Sequence, residues 1–555
     1  MARGAVRRAA VPPHRPDIPA ASPAPADTPA PGAPSSPRRI SAAWALGLAA
    51  LVAVAYGPAL SNGYAYDSVW MRACFEPRPM SDIRFLWDPT AYWADTRFLS
   101  YRPLAVATFF LLDFKLLGAV PALSHAINLA LHWASAWLLF DLARRALASA
   151  GRSGPVGWRT AAAGLGAAVF AAHPLGGEAV LCAGFRPDLA ATLALLAALR
   201  FGVAGGGGWR RTAWVSFAAT LAGLGFKESA AMALVLLPVW ALVVGRGVGR
   251  ERRMEAAAAF GGAAVAIAIF LPAWLVFRYP GVTAFLGGGG RPTGMANFAA
   301  AASEIYLSKL LWPWPLRIEH GFEPLSAADD GRLAVAAARL AAAGAALVCG
   351  AWWAARAAAG AGGANRLATF GLAWVVAGFA PVAQLVPVPE AVAERFCYLP
   401  LAGMGFWVAG IAGAIGGGAA GGERGGPKAR RLSMSAATAA AWALVTVWVI
   451  VSHVRAGQWI DDHTLNIANW EIRGEDRPRA HEALANIYLA RAARREAQGR
   501  RADALADLDA ATRHARRLMA QRPNAPATLE TARRLGLTPA AGRHETTTTA
   551  ARSPV

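Results

Sequence analysis

Where the long apolar runs of this chain break off, charged and aromatic residues gather in short motifs that could do chemistry. AAHPLGGEAV (171–180) supplies His173 and Glu178, GFRPDLA (184–190) Arg186, GFKESA (225–230) Lys227 and Glu228, and AERFCYLP (393–400) Glu394 and Arg395. A longer polar stretch, 61–101, begins SNGYAYDSVW, carries acids at Asp67, Glu76, Asp82, Asp88 and Asp95, and leads into LSYRPL with Arg102. Four cations, several carboxylates and one imidazole suit a phosphorylated substrate. The cations hold the phosphate, and a carboxylate accepts the proton of an attacking hydroxyl. Each residue alone has a plainer reading. Arg102 can snorkel at a membrane surface, the neighbours Lys227-Glu228 and Glu394-Arg395 can pair locally, and His173-Pro174 can simply end a helix. Only convergence makes a site.

Convergence depends on the elements that carry these motifs. Of 555 residues 55% are hydrophobic and only 16% charged, against about a quarter charged in a soluble protein. A bilayer core of about 30 Å needs about 20 apolar helical residues, and runs of that kind recur at 42–60, 122–143, 160–175, 187–204, 212–226, 229–245, 256–277, 333–355, 367–386, 396–417 and 433–452. The expectation is an all-α polytopic membrane protein of about eleven spans.

With Arg38 and Arg39 on the cytoplasmic side, the alternate loops 144–159, 205–211, 246–255, 356–366 and 418–432 are all arginine-rich, as positive-inside bias requires. That bias, rather than nucleic-acid binding, accounts for the net charge of +21. The odd span count places the C-terminal segment and every motif above on the non-cytoplasmic side. Residues 102–118, with Asp113 and Lys115 inside an apolar stretch, read as an interfacial or re-entrant helix. Spans 160–175, 212–226 and 367–386 stop short, so polar groups at their ends must pair or line a cavity. Residues 1–40, rich in Pro, Ala and Arg, read as a disordered cytoplasmic tail. The four cysteines lack metal or redox spacing. His125 and His132, with Asn128 between them on one helical face, read as hydrogen-bonding partners of neighbouring helices rather than metal ligands. The Gly-rich runs at 205–208, 287–290 and 415–422 follow no strand and precede no GK[ST], so they are loops, not phosphate cradles.

The ordered series YAYD, YRPL, His125/Asn128/His132, HPLGGEAV, GFRPDLA, KES and AERFCYLP resembles the transmembrane O-mannosyltransferases with tetratricopeptide repeats, of the GT-C glycosyltransferase type, over about residues 40–525. The resemblance implies a GT-C-like membrane domain (41–455) with the long outside loop 61–101. It implies a polyprenyl-phosphate-linked sugar as co-substrate, transfer to a hydroxyl of a protein or peptide acceptor, and location in a bacterial inner membrane. Asp67 matches the first member of the family's acidic pair and is the candidate catalytic base; Ser68 stands where the second acid is expected. Arg186, Lys227 and Arg395 become candidates for the donor phosphate, with Arg102, His173, Glu178, Glu228 and Glu394 shaping the site. No residue set is assigned to a metal, and a divalent requirement is left open.

Beyond the spans, RPRAHEALANIYLA (477–490) resembles the first helix of a tetratricopeptide repeat, with Leu484, Ala485 and Tyr488 in register and closing signals at Gly499 and Pro523. A helical hairpin is expected within 456–525 and a disordered end over 526–555. A single repeat lacks the stacked neighbours that stabilise such arrays, so it must pack on the membrane domain or on a protein partner through 470–525. A catalytically inactive scaffold of the same architecture is the second reading. A transporter is the third, but it predicts repeated halves and mid-membrane charges, which the sequence does not display.

Overall fold

The computed structural model describes residues 37–96, 100–148, 156–245, 249–277, 290–318, 320, 322, 324–325, 330–357, 362–388, 392–418, 427–473, 478–523 and 526–537. The chain divides into two compact units, Met1–Ala43 and Trp44–Val555. Of the first unit, 37–43 are described and open helix α1 (Pro37–Tyr56); the tail expected over 1–36 lies outside the described residues. No strand occurs among the described residues.

The polar stretch after α1 folds as α2 (Asp67–Phe75), α3 (Pro89–Thr96) and α4 (Pro103–Ala107), the last continuing as a π-helix over Thr108–Leu116. Longer helices follow: α5 (Pro121–Ala148), α6 (Val156–Ala172), the short α7 (Gly177–Leu181), α8 (Arg186–Ala197) with a π-helical end over Ala198–Val203, α9 (Gly208–Phe226), α10 (Ala233–Val243) and α11 (Arg250–Phe277). After these come α12 (Arg291–Ala301), α13 (Leu307–Leu311), α14 (Asp330–Ala357), α15 (Gly362–Gly378), α16 (Tyr398–Gly418) and α17 (Pro427–Gln458). Prolines 103, 187 and 292 sit in the first turns of α4, α8 and α12, where a missing N–H costs nothing.

Helix occupies most of each of the eleven expected stretches, although α15 ends at Gly378 within 367–386 and α6 at Ala172 within 160–175, and length and apolarity single out fewer. Six described helices are long and apolar enough to cross a membrane, at Arg39–Ser61, Pro121–Ala148, Ala183–Gly205, Arg250–Phe277, Glu394–Gly416 and Ala436–Gln458. A seventh is the broken pair Val156–Ala172 and Pro174–Leu181, bent by 49° at His173. Within α11 and α17 only 28% and 17% of the most apolar window is buried, leaving Val265, Ile269, Leu275, Val447 and Ile450 exposed. A helix that is apolar all round and yet uncovered belongs in lipid, so the chain is an integral membrane protein.

Small residues let the core helices touch backbone to backbone, as membrane bundles require. A methyl group placed on Gly371 of α15 would lie 2.3 Å from the Trp407 nitrogen of α16, and one on Gly166 of α6 would lie 2.2 Å from the Gly405 oxygen. Around these contacts Trp240, Phe370, Trp374 and Phe406 interlock edge-on, with Trp240 and Phe370 centroids 4.8 Å apart at 89°.

The C-terminal segment forms α18 (Asp462–Arg473), α19 (Pro478–Ala497), α20 (Arg501–Gln521) and α21 (Pro526–Arg534). The turn between α19 and α20 passes through Gly499 at φ 75°, a left-handed conformation natural to glycine. His481 meets His514, Arg491 meets Asp507 and Arg495 meets Asp507, which makes α19 and α20 an antiparallel pair. α21 occupies the start of the stretch expected to be a disordered end; 538–555 lie outside the described residues.

Candidate functional site

Five breaks between helices meet around a cavity of about 660 Å³, within the usual range of ligand pockets. Its charged wall consists of Asp67, Arg102, Asp188, Lys227, Glu228 and Arg395. Asp67 opens α2, Asp188 lies in the first turn of α8, Lys227 and Glu228 follow α9, and Arg395 immediately precedes α16. Arg102 precedes α4, so helix starts and the α9–α10 junction deliver the charges to one cavity. The rest of the lining is largely apolar and includes Met232, Val382, Leu385, Val386, Val388 and Leu399, of which Leu385 and Val386 are about half exposed.

The charges are cross-paired between segments far apart in sequence. Lys227 Nζ donates to Asp188 Oδ1 at 2.5 Å. Arg102 donates to Glu228 Oε2 through Nε at 3.2 Å and Nη2 at 3.0 Å, and Ser100 Oγ, which accepts from Trp274 Nε1 at 2.9 Å, also donates to Glu228. Arg395 Nη1 donates to Glu178 Oε1 at 2.5 Å, the Arg395 backbone N–H reaches Glu178 Oε2 at 2.8 Å, and its guanidinium lies 4.2 Å from the Phe185 ring centroid. Burial pushes the Lys227 ammonium below the ordinary lysine range, against the pull of Asp188. An anion entering here meets three cations already held in place. A guanidinium has five N–H donors, so one carboxylate partner does not exhaust it.

Of the residues expected from the sequence, Asp67, Arg102, Lys227, Glu228 and Arg395 therefore share the cavity wall. His173, Glu178, Arg186 and Glu394 do not line it. Glu178, fully buried, stands behind Arg395. His173 accepts from the Leu175 N–H at Nδ1 (3.2 Å), so its Nε2 donates to the Leu310 oxygen (3.2 Å), and the ring packs on Trp448 with centroids 4.4 Å apart. That imidazole fixes the bend of the broken span. Arg186, 1% exposed, donates to Asp113 Oδ1 at 3.0 Å, Asn128 Oδ1 at 3.2 Å and the Ser124 oxygen at 3.3 Å, which explains why Asp113 interrupts an apolar stretch. Glu394, also buried, accepts from the Arg317 N–H at 2.5 Å and faces Arg455 Nη2 at 3.7 Å and His320 Nε2 at 3.3 Å.

Position 68, where a second acid was expected, faces inward. Ser68 is 2% exposed; its Oγ accepts from the Gly184 N–H at 3.0 Å and lies 3.2 Å from Cys182 Sγ. Asp67 is set up by an unusual backbone. Tyr66, just before it, holds φ 55° and ψ −130°, and its N–H donates to Asp462 Oδ1 of α18 at 3.0 Å. A non-glycine residue in that region costs about 1–3 kcal/mol and persists only where its surroundings enforce it.

Asp188, Ser100, Trp274 and the 380–388 segment are the wall residues that sequence reasoning passed over. Asp188 was within reach, since GFRPDLA carries an acid two residues after the arginine. Among the described residues no group of three or more His, Cys, Asp or Glu side chains is placed to hold a metal. Comparison of the chain with protein-family models, with curated proteins and with solved structures finds no match in any of the three.

Proposed function

We propose that the protein is a membrane glycosyltransferase of the GT-C type, with about eleven spans. It moves a sugar, mannose by the resemblance noted above, from a polyprenyl-phosphate donor to a hydroxyl of a protein acceptor on the non-cytoplasmic face. The observation that carries this reading is one cavity lined both by three cations and three carboxylates and by apolar side chains that include the half-exposed Leu385 and Val386. An amphiphile with a phosphate head and a prenyl tail matches both sets of side chains. In the reaction the acceptor oxygen bonds to the anomeric carbon as the bond from that carbon to the phosphate oxygen breaks. The hydroxyl proton passes to Asp67, and the polyprenyl phosphate leaves with its charge held by Lys227, Arg395 and Arg102. The N-terminus is then cytoplasmic, and the C-terminal hairpin, read as a single tetratricopeptide-like repeat, lies on the acceptor side.

One observation favours the alternative of an inactive scaffold: each cation on the wall already has a carboxylate partner. Transfer from radiolabelled polyprenyl-phosphate sugars in membranes separates the two. Asp67→Asn keeps the shape of the side chain but cannot take the proton, so transfer should fall by about 10² or more with folding unchanged. Wild-type membranes that transfer nothing from any such donor would leave the scaffold standing.

A further inference from the structure

At the end of α8 remote from the cavity, three arginines converge on one buried carboxylate. Asp141, its side chain 4% exposed, accepts from Arg144 Nη2 at 2.7 Å, Arg145 Nε at 2.7 Å and Arg200 Nε at 2.5 Å. Arg144 and Arg145 stand near the C-terminal end of α5, and Arg200 lies in the π-helix that closes α8. Two apolar helices therefore end together here.

The cluster is more than a neutralised pair. Three guanidiniums around one carboxylate leave a formal charge of +2. A carboxylate offers about four lone-pair sites and each guanidinium five donors, so donors outnumber what Asp141 can accept. Arg144 Nε is buried with no hydrogen-bond partner, and Arg145 is 35% exposed. Positive-inside bias accounts for arginines near helix ends, but not for a buried acid that gathers three of them. Asp141 works as a template, fixing the guanidiniums in orientation before a ligand arrives and so lowering the ordering cost of binding.

Depth identifies the ligand. α5 has 28 residues, about 42 Å of helix against a hydrocarbon core of about 30 Å. A centred α5 overhangs that core by about 6 Å at each end, and Arg144 lies four residues before Ala148, about 6 Å from the helix end, which places Arg144 and Arg145 at the boundary between hydrocarbon and lipid headgroups. Basic pockets between transmembrane helices hold headgroup phosphates, and arginine binds phosphate in a two-pronged geometry. We propose that Asp141, Arg144, Arg145 and Arg200 form a binding site for the phosphate of an anionic phospholipid at this membrane face. The proposal is independent of the transferase reading.

The test uses the full-length protein in nanodiscs of phosphatidylcholine, with and without phosphatidylglycerol. Thermal unfolding is followed in the discs, and co-purifying lipid is read by native mass spectrometry after extraction. Phosphatidylglycerol should be retained and should raise the unfolding midpoint. Arg144→Gln/Arg145→Gln leaves Arg200 on Asp141 and takes the formal charge from +2 to 0; retention should weaken about ten- to thirty-fold and the shift should vanish. Arg210→Gln/Arg211→Gln, at the start of α9, removes equal charge outside the cluster and should keep both. If the double variant folds poorly in phosphatidylcholine alone, Arg145→Gln should weaken retention in the same direction. Equal losses in the cluster and control variants, a shift that survives Arg144→Gln/Arg145→Gln, or the same shift from inorganic phosphate in phosphatidylcholine discs would each overturn the assignment.

Discussion

Replacing Arg186 by methionine removes the guanidinium that neutralises Asp113, and the cost follows from where the two side chains sit. They are 2% and 1% exposed and 2.8 Å apart, so Asp113 would be left as an uncompensated buried charge. Breaking such a pair from one side costs about 3–5 kcal/mol. Asn128 Oδ1 and the Ser124 oxygen lose a donor as well, at about 1–3 kcal/mol for each acceptor left unsatisfied. Arg186→Met/Asp113→Leu removes both charges and leaves only that second contribution. The double variant should therefore recover about 3 kcal/mol of what the single variant loses, measured by reversible unfolding in mixed micelles. A double variant no more stable than Arg186→Met would refute the argument. The same pair decides the role first expected of Arg186. The side chain is off the cavity wall, so a folded double variant should keep transfer within about tenfold of wild type. A loss of about 10² or more, the scale of a catalytic group, in a stable double variant would return Arg186 to the phosphate.

Three further outcomes follow from the same structure. Ser68→Asp should lower stability and leave transfer no higher than wild type, because it buries a charge between Cys182 and Gly184; parallel unfolding and transfer assays check this, and a more active variant refutes it. Gly371→Leu should destabilise the bundle by at least the overpacking scale of about 1–3 kcal/mol, since even a methyl would lie 2.3 Å from the Trp407 nitrogen, whereas Gly261→Leu on α11, with open space around it, should change unfolding little. Burial, with His481, Arg517 and Arg513 nearby, holds the His514 imidazole down at about 4, below its unfolded value of about 6.5. The unfolded chain thus takes up the proton first as pH falls, so amide protection over 478–521 should be full above pH about 6.5 and decline towards pH about 4. His514→Phe should flatten that decline.

The membrane class and the positions of the helices were legible because they rest on a local property, the length of an apolar run. What each interruption does was not local. GFKESA and YRPL announce charges at helix ends, and the structure joins them as the Arg102–Glu228 pair across 126 residues. The sequence offers no reason to prefer that pairing to Lys227-Glu228, which are adjacent. Arg186 looked like its neighbours in type and setting, yet one residue of helical phase separates it from the wall, where Phe185 and Pro187 lie. Asp113 was visible as a charge in an apolar stretch, but its partner lies 73 residues away. Type and approximate depth can be read along the chain; facing cannot, because it is set by how the helix ends rotate against each other.

The placement of Asp67 carries this furthest. Three bonds clamp the YAYD turn to one short segment at the end of α17 and the start of α18. Asn62 Nδ2 donates to the Ala456 oxygen at 2.9 Å, the Gly63 N–H to the Ile460 oxygen at 2.8 Å and the Tyr66 N–H to Asp462 Oδ1 at 3.0 Å. The backbone of Tyr66 is in a region that costs energy to occupy, so it keeps that conformation only while the clamp holds. In the sequence, residues near 460 open the stretch 456–525 expected to hold the helical hairpin. In the fold they determine where the candidate base points. The C-terminal helices are therefore tied to the cavity through its proposed proton acceptor, and a shift of α18 would be felt at the turn that sets Asp67.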